Sequence, residues 1–499
     1  MPSSPSIRSV SSTHTAPDGG SRPHPSEISL AVVAGLNLCF LPWAFGGVDL
    51  WSQVVSAGLG AIALGLALLP RSGRTDAATA TSGADQRAWL RFARFPGFWA
   101  GAALLIYVGI QALNPAFDYH RSSTEWLLTR RSYLPWLPAG MNVPLTDAGP
   151  WRAFLFWFSP WALMCALWLG VTRRSVAAGL LIAIVANGFV LAAFGLVQRA
   201  GGGTKVLGVR PTIAGDFFAS FIYKNHAAAF FNLVAMVASS LAIQALWRNR
   251  RHAVRHGPAI LHFIFAVTLM LAVVVTTSLS GVALLAASLL VLVPVTAVRL
   301  RRTFPGSWPP GPGVPVAVVL VALVGIIGVS AGYDRLREKI EIKLAGEGRE
   351  SARTRALAAQ QGAAMFADRW LFGWGAGCFR YGFTKYQHEV PELTQRGTTR
   401  FFWEHVHNDW LELGIELGVV GLVPIAFIAG YWLRQIANRR VWRQPALSWI
   451  LVGLGALAAH AAIDFPFQNP AILVTAGAVV PLLLRWSDAG TGIGAVPRS

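Results

Sequence analysis

Charged side chains are scarce: Asp, Glu, Lys and Arg make up 13% of the 499 residues, against about a quarter in soluble domains. With 54% hydrophobic residues and a mean hydropathy of +0.49, this scarcity excludes an ordinary soluble enzyme and makes a membrane protein the default class. Cysteine is rarer still. Cys39 and Cys165 lie in apolar segments and only Cys378 in a polar connection, which leaves no disulfide framework and no metal-binding Cys pair. Acidic residues number 23 against 42 basic ones, yet no RNA- or DNA-binding pattern accompanies the net charge of +19. No Asp-x-Asp motif occurs. Before Leu30 there is no apolar run, only a segment rich in Ser, Pro, Gly and His, which argues against a cleavable signal peptide.

What is present is hydrophobic length. Apolar stretches of roughly 17–25 residues, enough to cross a bilayer as helices, recur near 29–46, 50–70, 98–113, 153–171, 175–198, 226–247, 258–278, 280–298, 314–332, 409–433, 446–463 and 469–486. They predict an all-α polytopic membrane protein with about twelve transmembrane helices. Basic residues test the topology, because Lys and Arg collect in cytoplasmic connections. With both termini cytoplasmic, Arg71 to Arg94, Arg173 and Arg174, Arg248 to Arg255, Arg299 to Arg302, Arg434 to Arg443 and Arg485 all fall on one side, with few acids among them. The net charge thus records topology. The expected organisation is a disordered cytoplasmic segment 1–28, spans over 29–332, an extracytoplasmic loop 333–408, three spans over 409–486 and a cytoplasmic tail 487–499.

Chemistry therefore belongs outside the cytoplasm, where the long connections 114–152, 199–225 and 333–408 lie. The longest carries a breaker-poor stretch, Glu350 to Trp370, that predicts a surface helix, and then "GWGAGCF", a turn. Gly373, Gly375 and Gly377 are not a dinucleotide fingerprint, since no strand precedes them. Next comes "EHVHNDWLELGIELGVVG", Glu404 to Gly421, which puts two histidines and four carboxylates at the mouth of a span. On a helix His405, Asp409, Glu412 and Glu416 would share one stripe, while Leu411, Gly414, Gly418 and Gly421 form another suited to close helix contact. A carboxylate at the bilayer centre costs at least about 2.5–3.5 kcal/mol, so the acidic stripe should face the protein interior. Glu416 would lie about 13 Å along the axis from His407, below the interface, as a functional group or a structural ion pair. His407 has three readings: a helix-start residue capping the backbone with Asn408, a metal ligand within His405-x-His407-x-Asp409, or an acid–base group at the water boundary, since an imidazole suits proton abstraction from a hydroxyl.

These residues carry a family resemblance. "HVHNDWLELGIELGVVGL" resembles the H-N-D-x-L-x-x-x-x-E-x-G-x-x-G-L signature of the O-antigen ligase and polymerase family. "GDFFASFIYKNHAAAFFNL" (215–233) is similar to its F-x-N-x-N-H-x-A segment, with Tyr223 at the usual first Asn. "ESARTRALAAQQGAAMFADRWLFGWGAGCF" resembles its S-G-R…P-L-x-G-x-G-x-x-x-F stretch, with Trp370-Leu371 for Pro-Leu, and "HAAIDFPFQNPA" its D-F-x-x-x-x-P-A segment. The family's Ser-Arg-Gly appears as "SLSG" (278–281), without the arginine.

The resemblance implies a GT-C-like integral-membrane glycosyltransferase of the bacterial inner membrane with a periplasmic site. It would move a glycan from undecaprenyl diphosphate to a hydroxyl of lipid A core or a related acceptor, without metal, nucleotide sugar or other cofactor. His407 would act on the acceptor hydroxyl. Arg210 and Arg353, or Arg355 if the register slips by two, would hold the diphosphate, because guanidinium forks bind such groups bidentately. Asn225, His226, His405, Asn408, Asp409 and Glu416 would support them; Asn225 and His226 are expected to pack and cap a helix start, and His460 to pair with Asp464. Two alternatives remain open: an O-antigen or exopolysaccharide polymerase on the same scaffold, and a flippase for lipid-linked oligosaccharides. Charges gathered in outer loops and the lack of an internal repeat count against the flippase.

Overall fold

In the computed structural model the described residues are 23–69, 90–121, 126–212, 216–248, 257–303, 337, 341, 347–396, 399–400 and 402–487. Among them ten helices are long and apolar enough to cross a membrane. They are α1 (Pro25–Trp43), α2 (Leu50–Leu68), α3 (Pro96–Leu113), α4 (Pro150–Gly170), α5 (Arg174–Ala200), α6 (Lys224–Arg248), α7 (Gly257–Val275), α8 (Leu279–Thr303), α11 (Asp409–Asn438) and α13 (Pro470–Ser487). A shorter apolar helix, α12 (Pro445–His460), stands between the last two. Each hydropathy maximum outside 314–332 is thus a helix; 314–332 lies outside the described residues. Residues 25–28 of the expected segment 1–28 belong to α1, which Pro25 opens and the His24 side chain caps by accepting from Ser26 N; residues 1–22 lie outside the described residues.

The bundle has two chemically distinct ends. At one, Glu27 of α1 accepts from Thr172 N at 2.8 Å and Arg173 N at 2.9 Å, Arg485 donates to Trp168 O, Arg439 lies over the Trp168 ring, and Arg299 donates to Trp442 O. This is the end where the short arginine-bearing connections meet. The described parts of the connections 44–49, 114–149, 201–223, 369–408 and 461–469 meet at the other end and build the candidate site.

That second end carries a cap. Strand β1 (Pro115–Arg121) pairs antiparallel with β2 (Trp126–Arg130) and parallel with β3 (Gly140–Asn142). Alternation sorts the β1 side chains: Phe117 stacks on Trp374 and Tyr119 packs at a tilt against Tyr381, whereas Asp118 turns outward to Arg131 and Asn142. The sheet packs with α9 (Glu347–Asp368) and α10 (Phe379–Gln387) around a second core of Met141, Met365, Trp374, Phe379, Phe383 and Tyr386. Phe379 and Phe383 are fully buried, each worth roughly 1.5–3 kcal/mol. The cap is therefore a packed unit. Its small sheet is an addition to the all-α expectation.

A break in α11 seats this cap on the bundle. Gly418 has φ 63° and ψ 179°, which interrupts the helical ladder six residues beyond Glu412. Backbone groups freed inside a bilayer each cost several kcal/mol unless satisfied, and here the glycine turn satisfies them. Trp374 N donates to Ile415 O at 2.9 Å and Gly375 N to Glu416 O at 3.0 Å, while Val419 N donates to Trp370 O at 2.8 Å. The single hydroxyl proton of Tyr107 on α3 is shared between Leu417 O at 2.6 Å and Phe372 O at 2.8 Å. Gln111 bridges Glu416 O, Phe372 O and Ala376 N. The glycine stripe expected along α11 thus divides: Gly414 faces Phe366 and Gly421 faces Tyr107, but Gly418 breaks the helix. A Cβ at Gly373 would meet Glu416 O, and one at Gly418 would meet Leu371 O.

Candidate functional site

Asp409 begins α11, and Asn408 caps it by accepting from Leu411 N at 3.1 Å. His405 and His407 therefore precede the helix instead of sharing its stripe. His407 takes φ 59°, a left-handed conformation uncommon outside glycine, and this turns its ring inward. Its Nδ1 lies 3.2 Å from Asp464 Oδ1, and its ring packs edge-on to Phe465 and Trp403.

Asp464, in the connection between α12 and α13, is the hub. Its carboxylate also accepts from Asn225 Nδ2, from Phe465 N at 3.0 Å and, at 3.4 Å, from the Tyr223 hydroxyl. Burial pushes its pKa up, but the bond to His407 and the surrounding imidazoles outweigh burial and hold it at about 2. The carboxylate is thus ionised, so His407 Nδ1 carries the donated proton. Burial pushes the Tyr223 hydroxyl up, with help from the Asp464 charge. Asn225 and His226 do not cap α6: Asn225 binds Asp464 and His226 Nε2 lies 3.1 Å from Phe465 O. His460 does not pair with Asp464 through its side chain; its Nε2 lies 3.1 Å from Ser280 Oγ of the "SLSG" segment.

A second carboxylate–imidazole pair stands beside the first. His405 Nδ1 is 2.7 Å from Glu412 Oε1, and Glu412 also accepts from Val406 N and Gln468 Nε2. Asp409 accepts from Phe467 N at 2.7 Å. Glu416 accepts from Phe379 N at 3.1 Å and has no basic side chain within ion-pair distance among the described residues. All three carboxylates are buried.

These groups border a cavity of about 990 Å³ lined by Asp49, Arg152, Arg210, Tyr223, His226, Arg380, His405 and Glu416, with Phe156, Trp157 and Leu413 giving it an apolar wall. Phe465 lines it too, and His407 sits directly behind that ring. Three arginines reach the cavity, and their partners differ. Arg210 is bound through one nitrogen to both oxygens of Asp49, at 2.9 and 3.0 Å. Arg380 is 3.9 Å from Glu404. Arg152 donates to Val48 O, Thr146 O and Gln53 Oε1, neutral acceptors that fix the guanidinium, while the Asp49 and Asp147 carboxylates act on it only through space. It is the anion-ready group of the site.

Of the residues expected from sequence, His405, His226, Glu416 and Arg210 line the cavity, and His407, Asn225 and Asp409 adjoin it. Arg353 does not reach it: the side chain is exposed and 3.4 Å from Glu392. Arg355, two residues on, faces inward, and its charge acts on the Tyr223 hydroxyl. Arg152 and Arg380 were missed. Arg152 reads as the polar edge of a span, and Arg380 as part of a turn. Among the described residues no group of three or more His, Cys, Asp or Glu is placed to hold a metal ion.

Comparison with known proteins gives one family. Residues 263–426 match the family model described as O-Antigen ligase (Wzy_C), a stretch that includes most of α7, all of α8, the helical part of the cap and somewhat more than half of α11. The "HVHNDWLELGIELGVVGL" and "ESARTRAL…GAGCF" segments fall inside it, and the 215–233 and 460–471 segments lie outside. No curated protein matches the chain.

Proposed function

Starting from a chain whose residues 263–426 belong to the O-antigen ligase family, we propose that this membrane glycosyltransferase moves a glycan from undecaprenyl diphosphate to a hydroxyl of lipid A core or a related acceptor at the periplasmic face of the inner membrane. The observation that carries the reading is the juxtaposition of His407, held by the ionised Asp464 carboxylate, with a cavity lined by Arg152, Arg210 and Arg380.

Displacement at the anomeric carbon leaves a lipid diphosphate, and negative charge grows on the leaving oxygen. Guanidinium groups already fixed in place stabilise that charge without reorganisation. Arg152, held by three neutral acceptors, grips the diphosphate, and Arg380 and Arg210 assist. Arg355 extends this positive field from the cap; Arg353 is a surface residue. Asp464 fixes the His407 tautomer, so that the other ring nitrogen is free to accept the proton of the acceptor hydroxyl as the new bond forms. The apolar wall of Phe156, Trp157 and Leu413 suits the start of a polyprenyl chain. The basic end of the bundle faces the cytoplasm on this reading, in line with the positive-inside rule.

A second assignment of the base is favoured by one observation: His405, paired with Glu412, lines the cavity directly. Replacing each histidine separately distinguishes them. The reaction itself is tested by the surface glycans of a deletion strain. Full-length polymer accumulating on undecaprenyl diphosphate supports ligation, whereas accumulation of single repeats means a polymerase, and retention on the cytoplasmic leaflet means a flippase.

A further inference from the structure

The wall of the cavity formed by the cap has a composition that the diphosphate does not explain. Asp147 lines the cavity; among the described residues its carboxylate accepts no hydrogen bond and has no ion pair within 4 Å, and the cation acting on it is Arg152, through space. It follows Thr146, whose carbonyl holds Arg152, so the carboxylate and the anion-ready guanidinium are neighbours. A diphosphate oxygen on Asp147 would meet like charge. A hydroxyl would meet an acceptor with open lone pairs. Beside Asp147 stands an aromatic pair: Tyr381, whose hydroxyl donates to Ala148 O at 2.7 Å, and Tyr119, with ring centroids 4.5 Å apart. Tyr119 is half-buried and lines the cavity with Tyr381 and Glu404. The sheet that carries Tyr119 lies outside the matched residues 263–426.

Aromatic faces with carboxylate acceptors suit a ligand that is apolar on its C–H faces and rich in hydroxyls at its rim. We propose that Tyr119, Asp147 and Tyr381 form a sugar-ring subsite immediately beside Arg152, with Tyr119 and Asp147 as specificity-determining residues. This rests on the transferase reading and adds the position of a pyranose ring, either the donor sugar linked to the diphosphate or a sugar of the acceptor. Asp147 accepts hydrogen bonds from ring hydroxyls, and Tyr119, positioned by the β1 register opposite Leu128, supplies the apolar contact.

Equilibrium binding to the full chain in nanodiscs tests this without requiring turnover. Three probes are compared: bare undecaprenyl diphosphate, an undecaprenyl-diphosphate-linked glycan, and a lipid A core oligosaccharide. Tyr119→Ala and Asp147→Asn are expected to weaken one of the two sugar-bearing probes about tenfold while bare lipid binding stays within twofold, and Tyr119→Phe is expected to retain wild-type binding. The weakened probe identifies the ring as the donor's or the acceptor's. Equal loss for bare lipid, or no loss for either sugar probe, overturns the proposal. Failure of the transferase reading is seen separately, as absence of transfer by the wild-type protein.

Discussion

Asp464→Asn removes one charge and little else. The side chain is buried and keeps its volume, but the anion that faces His407 disappears. The fold holds Asp464 at about 2 against an ordinary 3.8, despite burial. At 1.36 kcal/mol per unit, that difference is roughly 2 kcal/mol in favour of the anion, mostly through His407. If the same interaction stabilises the imidazolium formed when His407 takes the acceptor proton, its loss costs a similar amount in the transition state, or about thirtyfold in kcat. Asp464 does not line the cavity, so KM for the lipid-linked donor should change by less than threefold. The assay is glycan transfer in proteoliposomes, with the folded fraction checked by size-exclusion chromatography and thermal melting. An Asp464→Asn protein that is folded and turns over within a factor of two of wild type would refute the reasoning, because His407 would then act without its carboxylate.

Further outcomes follow from the same geometry. Arg152→Ala should raise donor KM by tenfold or more, and Arg353→Ala, at an exposed position beside Glu392, should leave it unchanged; donor titrations compare the two. Gly418→Ala forces φ 63° on a residue with a Cβ and drives that Cβ onto Leu371 O; the backbone conformation alone costs about 1–3 kcal/mol, so the thermal midpoint should fall clearly. Tyr107→Phe loses two carbonyl partners and should destabilise by about 1–3 kcal/mol, read the same way. For pH, the Asp464 value is depressed on folding, so its stabilisation of roughly 2 kcal/mol is fully present above about pH 4 and is lost as the pH falls toward 2; acid melting of Asp464→Asn should show a smaller pH dependence there.

Hydropathy placed the helices well because spans depend on a sum over some twenty residues, which single substitutions hardly alter. The mouth of α11 was legible for a different reason: "HVHND" before an apolar run is a polar cluster with no membrane rationale, and Asn408 does cap the helix. Side chains turned inward by loop geometry were less legible. Arg353 and Arg355 differ by two residues on one helix, so which of them faces the site depends on the packing of α9 against the cap. Gly418 sits in "LGVVG", where glycine reads as a small packing residue, and the carbonyl partners that make a break tolerable come from Trp370 to Gly375 and from α3. The β1 strand left a trace in the alternation of Phe117 and Tyr119 with Asp118 and His120. It was masked by the surrounding helical pattern. The hub role of Asp464 joins α6, the start of α11 and the segment before α13, contacts between residues more than fifty positions apart.

The central claim is that His407, held by Asp464, takes the proton of the acceptor hydroxyl. Its most direct test is single-turnover transfer from a radiolabelled undecaprenyl-diphosphate-linked glycan by reconstituted His407→Ala, with His405→Ala beside it and donor binding measured for both. The account predicts that His407→Ala binds donor as wild type does and transfers no label, while His405→Ala retains transfer; label transferred by His407→Ala at the wild-type rate would contradict it.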